Sequence, residues 1–151
     1  MSLEQWFRNG WLQRTEPTVA GIRQLFQVVD RDISDAQVEG LSPEGRFQHA
    51  YEAALQLCMI ALYVSGFRVK KGEGHHKRGI ESLRYTLGES SSETADHIER
   101  CSRLRGQAMY ERIDVVSATD AEDLLNAARQ LRLDIIRWLR THHPTLLPPG
   151  L

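Results

Sequence analysis

The stretch from Leu41 to His76, LSPEGRFQHAYEAALQLCMIALYVSGFRVKKGEGHH, limits the fold more than any other part of the chain. Ser42 is placed to cap a helix by accepting from an early backbone N–H, Pro43 suits the first helical position, and Glu44 favours the positive end of the dipole. From Phe47 onward Ala50, Tyr51, Ala54, Leu57, Cys58, Ala61 and Leu62 recur at helical spacing. Ala53, Leu55, Met59, Ile60 and Val64 fill much of the remaining circumference. A helix apolar nearly all round has to be covered by others. Gly66, tolerant of the left-handed conformation, is placed to stop it. The rest of the chain must therefore supply the cover.

Helical periodicity supplies it on both sides. Residues 2 to about 14 suit a short amphipathic helix with Leu3, Trp6, Phe7, Trp11 and Leu12 as contacts, docked on the core by its two tryptophans. A second helix follows Pro17 and Thr18, with Val19, Ile22, Leu25, Phe26 and Val29 on its apolar side, and runs to about Ser34. Asp35 to Leu41 reads as a connecting loop. Beyond the central helix, His76 to Leu87 reads as a short helix with Ile80, Leu83, Leu87 and Tyr85 turned inward, stopped by Gly88. Ser91 or Ser92 can cap the next helix, which carries Ile98, Cys101, Leu104, Ala108 and Met109 on one side and Arg100, Arg103, Arg105 and Arg112 elsewhere. A break over Asp114 to Ser117 precedes a capping-box-like Ser117 and Asp120 and a last long helix through Leu124, Leu131, Ile135 and Leu139, ending before Pro144. The tail TLLPPGL is expected to hang free or drape over the surface.

No sustained period-two alternation and no Asn-Gly or Asp-Gly turn occurs, so the expected class is all-α, an antiparallel up-and-down bundle of four core helices with flanking helices. A length of 151 residues suits one domain, with its core over about 17–142. The formal charge of -1 provides no global basic field, so any contact with nucleic acid must come from a local cluster. Cys58 and Cys101 both fall on apolar stripes and read as buried thiols of a reducing compartment. The N-terminus lacks a continuous apolar run, and no segment approaches the ~20 apolar residues of a membrane span. The expectation is a cytoplasmic protein without membrane contact.

Two clusters carry chemistry. In GFRVKKGEGHHK, Arg68, Lys70, Lys71, His75, His76 and Lys77 lie within one loop's reach, and Gly72 and Gly74 let the backbone bend around a ligand. Cationic side chains suit phosphate oxygens, and histidine titrates near ~6.5, so it can carry protons at neutral pH. The competing reading is a solvated connector whose histidines open the next helix. In ERCSRLRGQAMYER, Arg105 lies one turn from Met109, with Tyr110 at the edge of the same surface. A guanidinium beside a phenol can hold a phosphodiester, although a phenol with a pKa near ~10 is a poor base. The competing reading pairs these arginines with neighbouring carboxylates. No metal site is expected, because His75 and His76 point to different sides of a helix and no Cys or carboxylate sits at ligand spacing from them. His49 reads as a packed or interface residue, and no cofactor fingerprint is present.

The order RFQHAYEAAL, GFR, a short charged loop, GHH and RLRGQAMY resembles the HEPN superfamily of small helical domains over roughly residues 17 to 140. The resemblance implies a bundle that forms a homodimer, often beside an antitoxin or nucleotidyltransferase partner. It also implies an RNA- or nucleotide-directed role, which in many members is metal-independent ribonuclease activity in toxin–antitoxin or defence systems. In those members an Arg on a late helix holds the scissile phosphate, and a His a few residues on moves the 2′-hydroxyl proton. Arg105 fits that pattern, whereas Tyr110 stands where the histidine belongs. The expected catalytic group is therefore Arg105, Tyr110 and His75, with Arg68, Lys70, Lys71, His76 and Arg103 as phosphate contacts and His75 or His76 approaching Arg105 in the fold. The alternative is a non-catalytic HEPN module that works through its dimer surface or a nucleotidyltransferase partner.

Overall fold

The computed structural model describes residues 1–110 and 115–151, with side chains for all of these except Met109 and Tyr110. Among the described residues seven α-helices follow in order: α1 (Leu3–Arg8), α2 (Val19–Asp35), α3 (Pro43–Val64), α4 (His75–Glu81), α5 (Leu83–Thr86), α6 (Ser92–Tyr110) and α7 (Ala118–His142). Two short strands, β1 (Leu12–Arg14) and β2 (Phe67–Val69), form an antiparallel ribbon. The class is all-α, as the sequence predicts, and its core is a helical bundle.

The central helix starts and ends as its residues dictate. The Ser42 hydroxyl accepts from the Gly45 N–H, Pro43 occupies the first turn, and Gly66 takes a φ of 94° just past the helix. Ala50, Tyr51, Ala53, Ala54, Leu57, Cys58, Ile60, Ala61 and Leu62 have no exposed surface at all. Its four short Ala side chains let the neighbouring helices approach closely, and α7 and α2 make the most extensive contacts with it.

Side-chain contacts fix the helix directions. The Thr18 N–H donates to Tyr63 at 3.1 Å where α2 begins and α3 ends, and Asp32 meets His49 where α2 ends and α3 begins. These two helices are antiparallel. Tyr51 pairs with Ser102 and Gln48 with Arg105, so α6 also runs against α3. Phe47 shares a hollow with Asp120 and Asp123, and Ser65 shares another with Trp138 and His142, so α7 runs with α3. The result is up-down-up-down.

The N-terminal segment departs from the expected single helix. Only Leu3–Arg8 is helical, with a capping box between Ser2 and Gln5, and Gly10 at φ 80° then turns the chain into β1. Leu12 pairs with Val69, Gln13 with Arg68 and Arg14 with Phe67. Leu12, Phe67 and Val69 face inward with Trp6 and Leu62, forming a second small core. A strand of three residues is too short for alternation to register in the sequence. Tyr85 is exposed rather than turned inward, and its ring meets Trp6 edge-on at 5.2 Å.

Ser91 is buried and its hydroxyl donates to the Leu83 and Gly88 carbonyls, so it ties α5 to α6. The tail does not hang free. Leu146, Leu147 and Leu151 pack on the main core, and Arg23 donates to the Pro149 carbonyl at 3.1 Å.

Candidate functional site

The described residues bring part of both cationic clusters to one buried ring, that of Tyr51 on α3. Gly74, at φ 77°, opens α4 directly before His75 and His76. Gly79 seats the same helix on α3, because a Cβ there would overlap the end of Met59. His76 is thereby held against Tyr51, with ring centroids 6.3 Å apart. His75 lies edge-on to His76 at 4.3 Å, and its Nδ1 is 3.0 Å from the Gly72 carbonyl.

Arg105 reaches the ring from α6. Its ζ carbon lies 5.1 Å from the Tyr51 centroid, its Nε donates to Gln48 at 2.9 Å, and one Nη donates to Glu52 at 3.5 Å. The Arg105 side chain is 21% exposed, enough for a ligand to reach a group otherwise held by neighbours on α3. A guanidinium over an aromatic face is stabilised by the ring quadrupole.

Electrostatics sort the protonation states. Burial raises the Tyr51 pKa, with the hydrogen bond to Ser102 and the Arg105 charge working against it. Tyr51 remains a neutral phenol, donating to Ser102 Oγ at 3.2 Å. Burial also lowers the His76 pKa, aided by His75 and Arg105. The lowered pKa keeps His76 in its neutral base form near neutral pH, against the same ring as a fixed cation. Such a pair can accept a proton and hold an anion at one place.

Comparison with protein-family models, curated proteins and solved structures finds no match.

The remaining sequence candidates lie elsewhere. Arg68 is exposed on β2, donates to Gln13 at 3.1 Å, and lines a separate hollow with Val69, Lys70 and Lys71. Arg103 points about 200° around α6 from Arg105 and pairs with Glu99 at 3.5 Å. The side chain of Tyr110, Arg112 and Asp114 lie outside the described residues, whereas residues 115–117 are non-helical, as the expected break requires. Among the described residues, a phenol bordering Arg105 is Tyr51, which in the sequence reads as one more apolar position of α3. Gln48 and Glu52, which hold Arg105, also escape sequence reasoning. Their only signal is their spacing from Tyr51 on a helix otherwise apolar around its middle.

Among the described residues, one further polar group forms across α2 and α3. Donor atoms of Asp32, Asp35 and His49 lie within 4.8 Å of one another. The sequence points to no metal ligand, and His49 reads there as a packed or interface residue. Carboxylates on α2 reach that histidine through the antiparallel pairing, which spacing in the chain does not reveal.

Proposed function

We propose that this chain is a HEPN-like domain that binds RNA or a nucleotide phosphate at the Tyr51 platform and cleaves RNA without a metal. The meeting of Arg105 and His76 on one ring supports this reading most directly. The residue order from RFQHAYEAAL to RLRGQAMY adds to it through its resemblance to that superfamily.

In the proposed reaction Arg105 binds the scissile phosphate and disperses the charge that builds on its oxygens. Neutral His76 accepts the 2′-hydroxyl proton as the 2′-oxygen bonds to phosphorus. The bond from phosphorus to the 5′-oxygen breaks, and that oxygen takes a proton from water. The products are a 2′,3′-cyclic phosphate and a 5′-hydroxyl end. His76 replaces Tyr110 as the proton acceptor, from a different helix than the usual motif.

A second reading is favoured by the Glu52 carboxylate, 3.5 Å from the Arg105 guanidinium. A fixed negative charge beside the arginine opposes an incoming phosphate. On this reading the chain is a non-catalytic dimerisation or partner-binding module beside an antitoxin or nucleotidyltransferase.

Incubation of the purified chain with total RNA in chelator separates the two. Cleavage that leaves cyclic-phosphate ends, and that is lost in both Arg105→Ala and His76→Ala with the fold retained, supports the first reading. Intact RNA at high protein concentration, together with a stable homodimer by light scattering, overturns it in favour of the second.

A further inference from the structure

We propose that Asp32, Asp35 and His49 form a binding site for a divalent transition-metal ion of the zinc class, tying the end of α2 to the start of α3. The proposal is independent of the RNA reading.

Asp32 carries the argument. Its side chain is only 8% exposed, and both of its ion pairs lie beyond hydrogen-bond distance. The nearest cationic groups are His49 Nδ1 at 3.6 Å and an Arg31 Nη at 3.8 Å, and the Arg31 side chain is 65% exposed. Desolvating a carboxylate this far is costly, and a largely solvated arginine at that range offsets little of the cost.

The helix end makes the position worse for an anion. Asp32 and Asp35 both fall in the last turn of α2, where the macrodipole is negative, and that turn contains no basic residue. The two carboxylates also share one small volume with the His49 ring. A cation between them would satisfy all three groups at once.

The distances are compatible with coordination. At 3.6 Å, Asp32 Oδ1 and His49 Nδ1 are too far apart for a hydrogen bond. Two donors bound at ~2.1 Å to one ion at the tetrahedral angle lie about 3.4 Å apart. The observed separation is close to that edge, and Asp35 requires a shift on the order of one ångström. One imidazole nitrogen with two carboxylate oxygens favours zinc, cobalt or manganese over calcium or magnesium, which take oxygen donors. Three protein ligands leave a fourth position for water.

The test uses the full chain stripped of metal and titrated with Zn²⁺ and Co²⁺ by calorimetry and visible absorption. His75 with His76, and His142 with His143, are adjacent pairs that also attract zinc, so the wild type is compared with Asp35→Asn and His49→Gln rather than judged alone. The expected result is one ion bound with a tetrahedral cobalt spectrum and a zinc-dependent rise in Tm. In both variants the affinity falls at least about tenfold, since loss of a ligand costs no less than loss of a supporting partner, and the Tm rise disappears. The proposal is overturned if no ion binds, or if affinity, spectrum and Tm shift are unchanged in Asp35→Asn and His49→Gln.

Discussion

The Arg105 guanidinium lies over the Tyr51 ring, its ζ carbon 5.1 Å from the centroid. Tyr51 is fully buried, so the ring is a fixed wall and the arginine is the adjustable partner. The hydroxyl and the ring then have separable roles. Tyr51→Phe keeps the wall and removes only the bond to Ser102, at a cost of about 1 kcal/mol in denaturant unfolding, with RNA affinity retained. Tyr51→Leu keeps the apolar volume approximately and removes the π-face, so RNA affinity falls. Equal affinity in both variants shows that the ring does not hold the arginine in a binding geometry.

Glu52 is the natural antagonist of anion binding at this place. Its carboxylate is 3.5 Å from the guanidinium and its side chain is 39% exposed. Glu52→Gln keeps the shape and removes the charge, so affinity for an oligoribonucleotide rises several-fold and its salt dependence steepens. An unchanged binding isotherm at low salt places the phosphate elsewhere.

Burial lowers the His76 pKa first, with His75 and Arg105 adding to the effect, so the folded state binds this proton less readily than the unfolded state. His97 and His143 are lowered too, again chiefly by burial. The unfolded chain therefore takes up more protons as the pH falls through the ordinary histidine value of ~6.5, and stability declines over that window until the folded pKa is passed. His76→Asn removes one of these contributions. Its Tm changes less between neutral and mildly acidic pH than that of the wild type. An identical acid limb in the two proteins would falsify the assigned direction for His76.

Trp6 meets Trp11 within the N-terminal segment at 6.0 Å and joins that segment to the rest of the molecule through Tyr85 at 5.2 Å. Its side chain is almost wholly buried in the smaller core with Leu12, Leu62, Phe67 and Val69. Trp6→Ala leaves a large void there and costs about 3–5 kcal/mol. Tyr85 lies at the exposed edge, and Tyr85→Ala costs far less. Chemical denaturation of the two variants gives the comparison, and equal losses contradict a core role for Trp6.

The bundle was legible because α3 announces itself: Ser42, Pro43 and Gly66 mark its ends, and its apolar circumference demands cover from several helices. The small ribbon was not, since Leu12–Arg14 and Phe67–Val69 owe their strand form to pairing between segments far apart in the chain. The convergence of His76 with Arg105 was conceivable from chemistry alone, but its platform was hidden. Tyr51 reads as core because it is core, and only packing shows which cations touch its rim. Asp35 reads in the sequence as the start of a connecting loop, and nothing there marks Asp32. His49 gives them a different meaning once α2 and α3 lie side by side.

The two cysteines offer a test of the core that requires no ligand. Burial pushes the Cys58 thiol up to about 12 and the Cys101 thiol up to about 11. At pH 8 the reactive thiolate then amounts to roughly one part in 10⁴ at Cys58 and one in 10³ at Cys101, well below an exposed thiol of pKa near 8.5. Cys58 has no exposed surface and Cys101 has 6%, so access adds to the difference. Both are free thiols, and denaturant should release two equivalents to a thiol reagent that finds almost none in the folded chain. Peptide mapping after partial labelling should find Cys101 modified before Cys58, because it lies on α6 at the edge of the core whereas Cys58 lies at the middle of α3. Rapid labelling of Cys58 under native conditions would mean that α3 is not sealed by its neighbours, and the packing that positions Tyr51 would fall with it.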